Sequence, residues 1–178
     1  MNIIPANRPR LTESEARKIL AKEKVSGVAV IGIRGYYTQS MGDPTKNDRG
    51  IYDDALFIVS PDAFIAFNGN TDPSISRHRV AVLKEGVWQY RIGIHGLSKP
   101  KAQQYQAYVQ AAPVTVIRDG VGPDTGWFGI NIHRGGNNTT SSLGCQTIPP
   151  AQWESFRTTL NAQLKRHNQK TFSYILKS

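Results

Sequence analysis

Cys145 is the only cysteine among 178 residues, and His133 precedes it across a polar, glycine-containing loop, Gly135-Gly-Asn-Asn-Thr-Thr-Ser-Ser-Leu-Gly144. A thiol and an imidazole within hydrogen-bond reach make a nucleophile and its base, because the thiolate is the attacking form and a free thiol is mostly protonated at neutral pH. Gly135 and Gly136 let the chain fold back, and Gly144 lets the backbone turn tightly before the sulfur. The amides of Gly144 and Cys145 can then face the oxyanion of a tetrahedral intermediate, which suits acyl transfer from an amide. Without a contact to His133, Cys145 is simply a small buried apolar residue. One cysteine allows no internal disulfide and is a poor basis for a zinc cage, so no metal or other cofactor is expected.

The elements that must hold this pair read as mainly β. Trp127–Ile132 reads as a strand delivering His133, with Trp127, Gly129, Asn131 and His133 on a polar face opposite Phe128, Ile130 and Ile132. Val28–Ile33, Leu56–Val59, Ala63–Phe67, Val80–Leu83, Val87–Ile94, Val114–Ile117 and Thr171–Leu176 are further strand candidates. Ser60-Pro-Asp62 and Lys84-Glu-Gly86 read as hairpin connections. His95 ends one of these strands, where it joins the cysteine site or merely caps the sheet. Asp119–Gly126 reads as a turn-rich loop, and Gln103–Val109 has no clear assignment. Thr12-Glu-Ser-Glu15 is a capping box opening a helix over Glu13–Lys24. Trp153, Phe156, Leu160 and Leu164 recur at helical spacing and predict a second, core-packed helix. The pattern predicts one domain over residues 1–178, an α+β sandwich or barrel with a helix near each end.

Gly35–Gly50 is a long polar loop full of turn formers. Asp43, Asp48, Asp53, Asp54 and Asp72 are the acids from which a carboxylate-dependent glycan hydrolase would draw its general acid. The same residues also serve turn chemistry, accepting from backbone N–H groups.

A net charge of +9 and a pI near 9.8 favour polyanionic partners. The basic residues are scattered and accompany no nucleic-acid motif, so no specific nucleic-acid partner is expected. No segment approaches the roughly 18 apolar residues of a membrane span, and the N-terminus lacks a signal-peptide core. The expectation is a product made in the cytoplasm.

Ile132-His-Arg-Gly135 followed by Ser141-Ser-Leu-Gly-Cys145 resembles the signature of YkuD-type L,D-transpeptidase catalytic domains. That resemblance implies Cys145 as the acylated nucleophile, His133 as its base, and a backbone carbonyl just after His133 as the orienter of the imidazole. It further implies Ser142 and Gly144 as site wall; by their places in the chain, Arg134 joins that wall, and His95, Asn131 and Gln146 are candidate accessory or substrate-binding residues. Leu143 stands where the family has a histidine, and Gln146-Thr147 replaces the family's pair after the cysteine. The implied partners are peptidoglycan stem peptides among anionic envelope polymers. The expected activity is wall hydrolysis of the endolysin or effector type, after release by lysis or injection. A muramidase, or a non-catalytic envelope-binding or particle protein, is the alternative.

Overall fold

The computed structural model describes residues 2–178. Helix α1 (Glu13–Lys22) starts as the capping box requires: Thr12 Oγ accepts from Glu15 N at 3.2 Å, and the Glu15 carboxylate accepts from Thr12 N at 2.8 Å. The strands are β1 (Ala29–Ile33), β2 (Asp54–Ser60), β3 (Ala63–Gly69), β4 (Ala81–Leu83), β5 (Gly86–His95), β6 (Tyr105–Gln110), β7 (Val114–Arg118), β8 (Gly122–Gly126), β9 (Ile132–Arg134), β10 (Gln146–Ile148) and β11 (Thr171–Lys177). Helix α2 (Pro150–Arg166) lies between β10 and β11.

Eight strands form one mixed sheet in the order β10-β9-β6-β5-β11-β1-β2-β3. An antiparallel bridge between Asn70 and Thr147 links its two ends, so the sheet nearly closes into a barrel. The small sheet β4-β7-β8 packs beside it. The fold is therefore mainly β, in the α+β class.

Two apolar layers hold the sheet. Trp153, Phe156, Leu160 and Leu164 of α2 pack with Phe67, Tyr90, Tyr108, Phe172 and Tyr174 in the larger core. Ala16 and Leu20 of α1 pack on the opposite face against Ile31, Phe57, Val59 and Ile175. Strand β2 is thus covered on both sides, which explains its unbroken apolar run Ala55–Val59 in place of an alternating one.

Several sequence expectations change. The β2–β3 hairpin pairs Ser60 with Ala63, leaving a two-residue turn rather than three or more. Lys84-Glu-Gly86 does not close a hairpin: β4 pairs with β7, whereas β5 pairs with β6 and β11. Burial of Leu83 in the core favours that separation, since the strand leaves one sheet for the other there. Asp119–Gly126 is no loop but the turn and second strand of the β7–β8 hairpin. Trp127–Asn131 is not a strand, because Gly129 takes a left-handed φ of +69° that breaks the extended run. Strand parity therefore does not carry through to His133, which is 3% exposed rather than on an open polar face.

Candidate active site

Strands β9 and β10 run parallel, with Gln146 opposite Ile132 and Thr147 opposite His133. Cys145 sits immediately before this ladder, where Gln146 N donates to Asn131 O at 2.8 Å. The loop between His133 and Cys145 thus returns the chain to the neighbouring strand, bringing the two residues to one end of the sheet.

The Cys145 thiol rests on that turn. Asn131 N donates to Sγ at 3.4 Å, and Sγ–H donates to Gly129 O at 3.4 Å. Burial pushes the thiol up to about 11, with the Asn131 N–H only partly offsetting it. Nδ1–H of His133 donates to Arg134 O at 2.7 Å, and the Tyr105 hydroxyl, 3.1 Å from Nδ1, donates to the same carbonyl at 3.2 Å. This fixes the tautomer: the proton is on Nδ1, and Nε2 carries the free lone pair. Burial, followed by the neighbouring His95, lowers His133 to about 3. At neutral pH the thiol and the imidazole are therefore both uncharged, and no hydrogen bond joins them: the sulfur bonds Asn131 N and Gly129 O instead.

His95, at the end of β5, stacks on His133 with ring centroids 3.9 Å apart. Its Nδ1 accepts from the Asn131 side-chain amide at 3.1 Å. Asn131 thus touches the sulfur through its backbone and the second imidazole through its side chain. Leu143 is 57% exposed.

Ser142 holds the turn before the sulfur. Its hydroxyl accepts from Gly144 N at 3.0 Å and donates to Cys145 O at 2.7 Å, while Ser142 N donates to Ser74 Oγ at 2.7 Å. Of the two amides expected to face an oxyanion, that of Gly144 is thereby occupied. Gly144 has a φ of +129°, and a Cβ there would lie 2.6 Å from Ala81 O, so no other residue fits. Gln146 does not line a substrate wall: it is fully buried, donating to Gly144 O at 3.1 Å and accepting from the Tyr174 hydroxyl at 2.9 Å. Arg134 contributes its carbonyl, while its guanidinium lies over the Tyr105 ring, 5.3 Å from the centroid.

A cleft of about 730 Å³ opens beside this group, lined by Arg91, Gly93, His95, Lys99, Trp127 and Asn131 among others. Gly129 and Asn131, which touch the sulfur, belong to its wall. Tyr105 and Ser74 are site residues that the sequence did not reveal. Tyr105 fell in an unassigned segment, and only its pairing with His95 across β5–β6 places it at the imidazoles. Ser74 has no local signal, because its partner is 68 positions away.

The five acids are placed elsewhere, holding the Gly35–Gly50 loop to the body. Asp43 accepts from Thr45 N at 2.9 Å, Asp48 from Asp43 N at 2.6 Å, and Asp53 from Asp48 N at 3.1 Å. Asp54 accepts from both Gly35 N and Thr71 N at 2.5 Å, and Asp72 pairs with Arg34 at 3.2 Å and accepts from Asn47. Among the described residues, no group of three or more His, Cys, Asp or Glu side chains could hold a metal ion, and no helix is long and apolar enough to cross a membrane.

Compared with protein-family models, with curated proteins and with solved structures, the chain matches none.

Proposed function

We propose that this protein is a cysteine-dependent peptidoglycan hydrolase, a divergent relative of the YkuD-type L,D-transpeptidases that cleaves stem-peptide amide bonds through an acyl-enzyme. The observation that carries the reading is the His133 Nδ1–H bond to the Arg134 carbonyl, which leaves Nε2 as a base at the same sheet end as the only thiol. The net charge of +9 supports an anionic envelope target.

In the proposed reaction, the Cys145 thiol leaves the Gly129 carbonyl and gives its proton to His133 Nε2 as sulfur attacks the scissile carbonyl carbon. The S–C bond forms, the oxyanion collapses, the C–N bond breaks, and the proton held by His133 passes to the departing amine. Water then attacks the thioester, with His133 taking its proton. The S–C bond breaks as His133 returns that proton to sulfur, restoring the thiol, and the product acid releases its own proton to solvent as it becomes a carboxylate. Because the resting pair is neutral, proton transfer accompanies attack rather than preceding it.

Digestion of purified sacculi, with mass spectrometry of the released fragments, tests the proposal. The expected result is peptide cleavage with new amines, abolished in Cys145→Ala and His133→Ala. Undiminished digestion by Cys145→Ala overturns the cysteine mechanism. New reducing sugar ends would instead indicate the muramidase reading, and sacculus binding without fragments a non-catalytic envelope protein.

A further inference from the structure

The cleft beside the thiol has an uneven charge. Arg91, Gly93 and His95 alternate along β5 and so share the strand face that floors it. Lys99 sits at its end, on the turn in which Lys99 N donates to Gly96 O at 2.8 Å. No aspartate or glutamate lines the cleft. Arg91 and Lys99 are exposed, and among the described residues neither makes an ion pair; the Arg91 guanidinium reaches only the Ile92 carbonyl, at 3.5 Å. Other arginines of this chain do meet a carboxylate, as in Arg34–Asp72, Arg49–Asp119 and Arg118–Asp124, whereas the cleft offers Arg91 none. Two unpaired cations facing one cleft therefore leave a charge for a ligand to complement.

The spacing sets the shape of that ligand. Arg91 lies four residues from His95 on one strand, about 13 Å at the rise of an extended chain. Lys99 is close enough to the imidazoles for its charge to act on both His95 and His133. One cation is thus near the reacting centre and the other a short extended peptide away. Trp127, 65% exposed, and Leu97, 74% exposed, give the same cleft apolar walls.

Resting on the hydrolase reading, we infer that Arg91 and Lys99 are specificity-determining residues that bind carboxylates of an extended peptide substrate, so that the enzyme selects stem peptides with free acids over amidated ones. The guanidinium suits a two-pronged carboxylate contact, and the ammonium acts as a point charge beside the scissile bond.

The test is calorimetric binding of two stem tetrapeptides, one with free carboxylates and one with them converted to primary amides, to the wild-type protein and to Arg91→Gln, Lys99→Gln and the double variant. Loss of one charge-assisted contact is expected to weaken binding of the acid peptide about tenfold. The wild type should prefer the acid peptide, a preference that shrinks in each single variant, disappears in the double variant and weakens with salt. Equal affinity of the wild type for both peptides, no binding of either, or an undiminished preference in the double variant overturns the inference. Both side chains are exposed, so the variants should keep the wild-type fold, which circular dichroism checks. Turnover of the same peptides is scored separately: a charge preference in binding without Cys145-dependent cleavage sinks the hydrolase reading and leaves the recognition intact.

Discussion

The imidazole of His95 lies nearly flat on that of His133, with centroids 3.9 Å apart and planes 22° apart. The sequence leaves His95 either joining the cysteine site or capping the sheet, and the fold brings its imidazole from β5 onto His133. In the proposed reaction this makes His95 a positioning residue, acting by covering His133 and opposing its protonation.

Removing that cover should raise the His133 pKa, since burial and the His95 charge are the two largest causes of its depression to about 3. In the proposed reaction His133 takes a proton only when neutral, so activity should fall as pH drops through its pKa. In His95→Ala the acidic limb of the kcat/KM profile is expected to move up by about one unit or more. His95→Phe keeps a ring on the stack and should hold the limb nearer the wild-type position. An unmoved limb in His95→Ala removes this role.

The thiol at about 11 predicts slow alkylation at neutral pH. The rate of Cys145 modification by iodoacetamide should climb about tenfold per pH unit from pH 7 to pH 10, following the thiolate fraction. A rate that levels off below pH 7 would show a preformed thiolate–imidazolium pair and contradict the proposed neutral thiol and imidazole.

Ser142→Ala deprives two groups of their partner, Gly144 N–H and Cys145 C=O. Stability should drop by about 1–3 kcal/mol, measured by urea denaturation. Turnover should suffer mainly in kcat, because the turn carrying the sulfur loosens while the cleft is untouched. A variant of wild-type stability and kcat would show that the hydroxyl positions nothing.

The buried acids predict a stability gradient with pH. Asp53 is raised to about 7, by burial first and then by the charges of Asp72 and Asp48, and Asp54 to about 8, by burial first and then by the charges of Asp72 and Asp53. The folded state holds these protons more tightly than the unfolded chain, whose aspartates titrate near ~3.9. Their stabilising contribution is thus complete below about pH 4 and is lost as pH rises towards 8. Urea midpoints should be lower at pH 8 than at pH 5. Asp54→Asn should flatten that slope, yet cost about 1–3 kcal/mol at pH 5, because its amide would confront Gly35 N–H or Thr71 N–H. An unchanged slope in that variant would show that Asp54 does not carry the effect.

Features that depend on residues a few positions apart can be read directly along the chain. The capping box at Thr12 and Glu15, the stripe from Trp153 to Leu164 and the β2–β3 hairpin are legible because their partners lie within a turn or two of chain. The Arg134 carbonyl on His133 Nδ1 was expected only from the resemblance, not from any spacing. Tertiary structure decided the rest. The three-residue strands β9 and β10 have too little pattern to be read, and their parallel pairing is what sets Cys145 against Asn131 beside His133. Only the antiparallel pairing of β5 with β6 brings His95 to Tyr105, and with it to the imidazole it covers. Such contacts follow from sheet order, which is set by burying two apolar layers at once, and no local spacing encodes it.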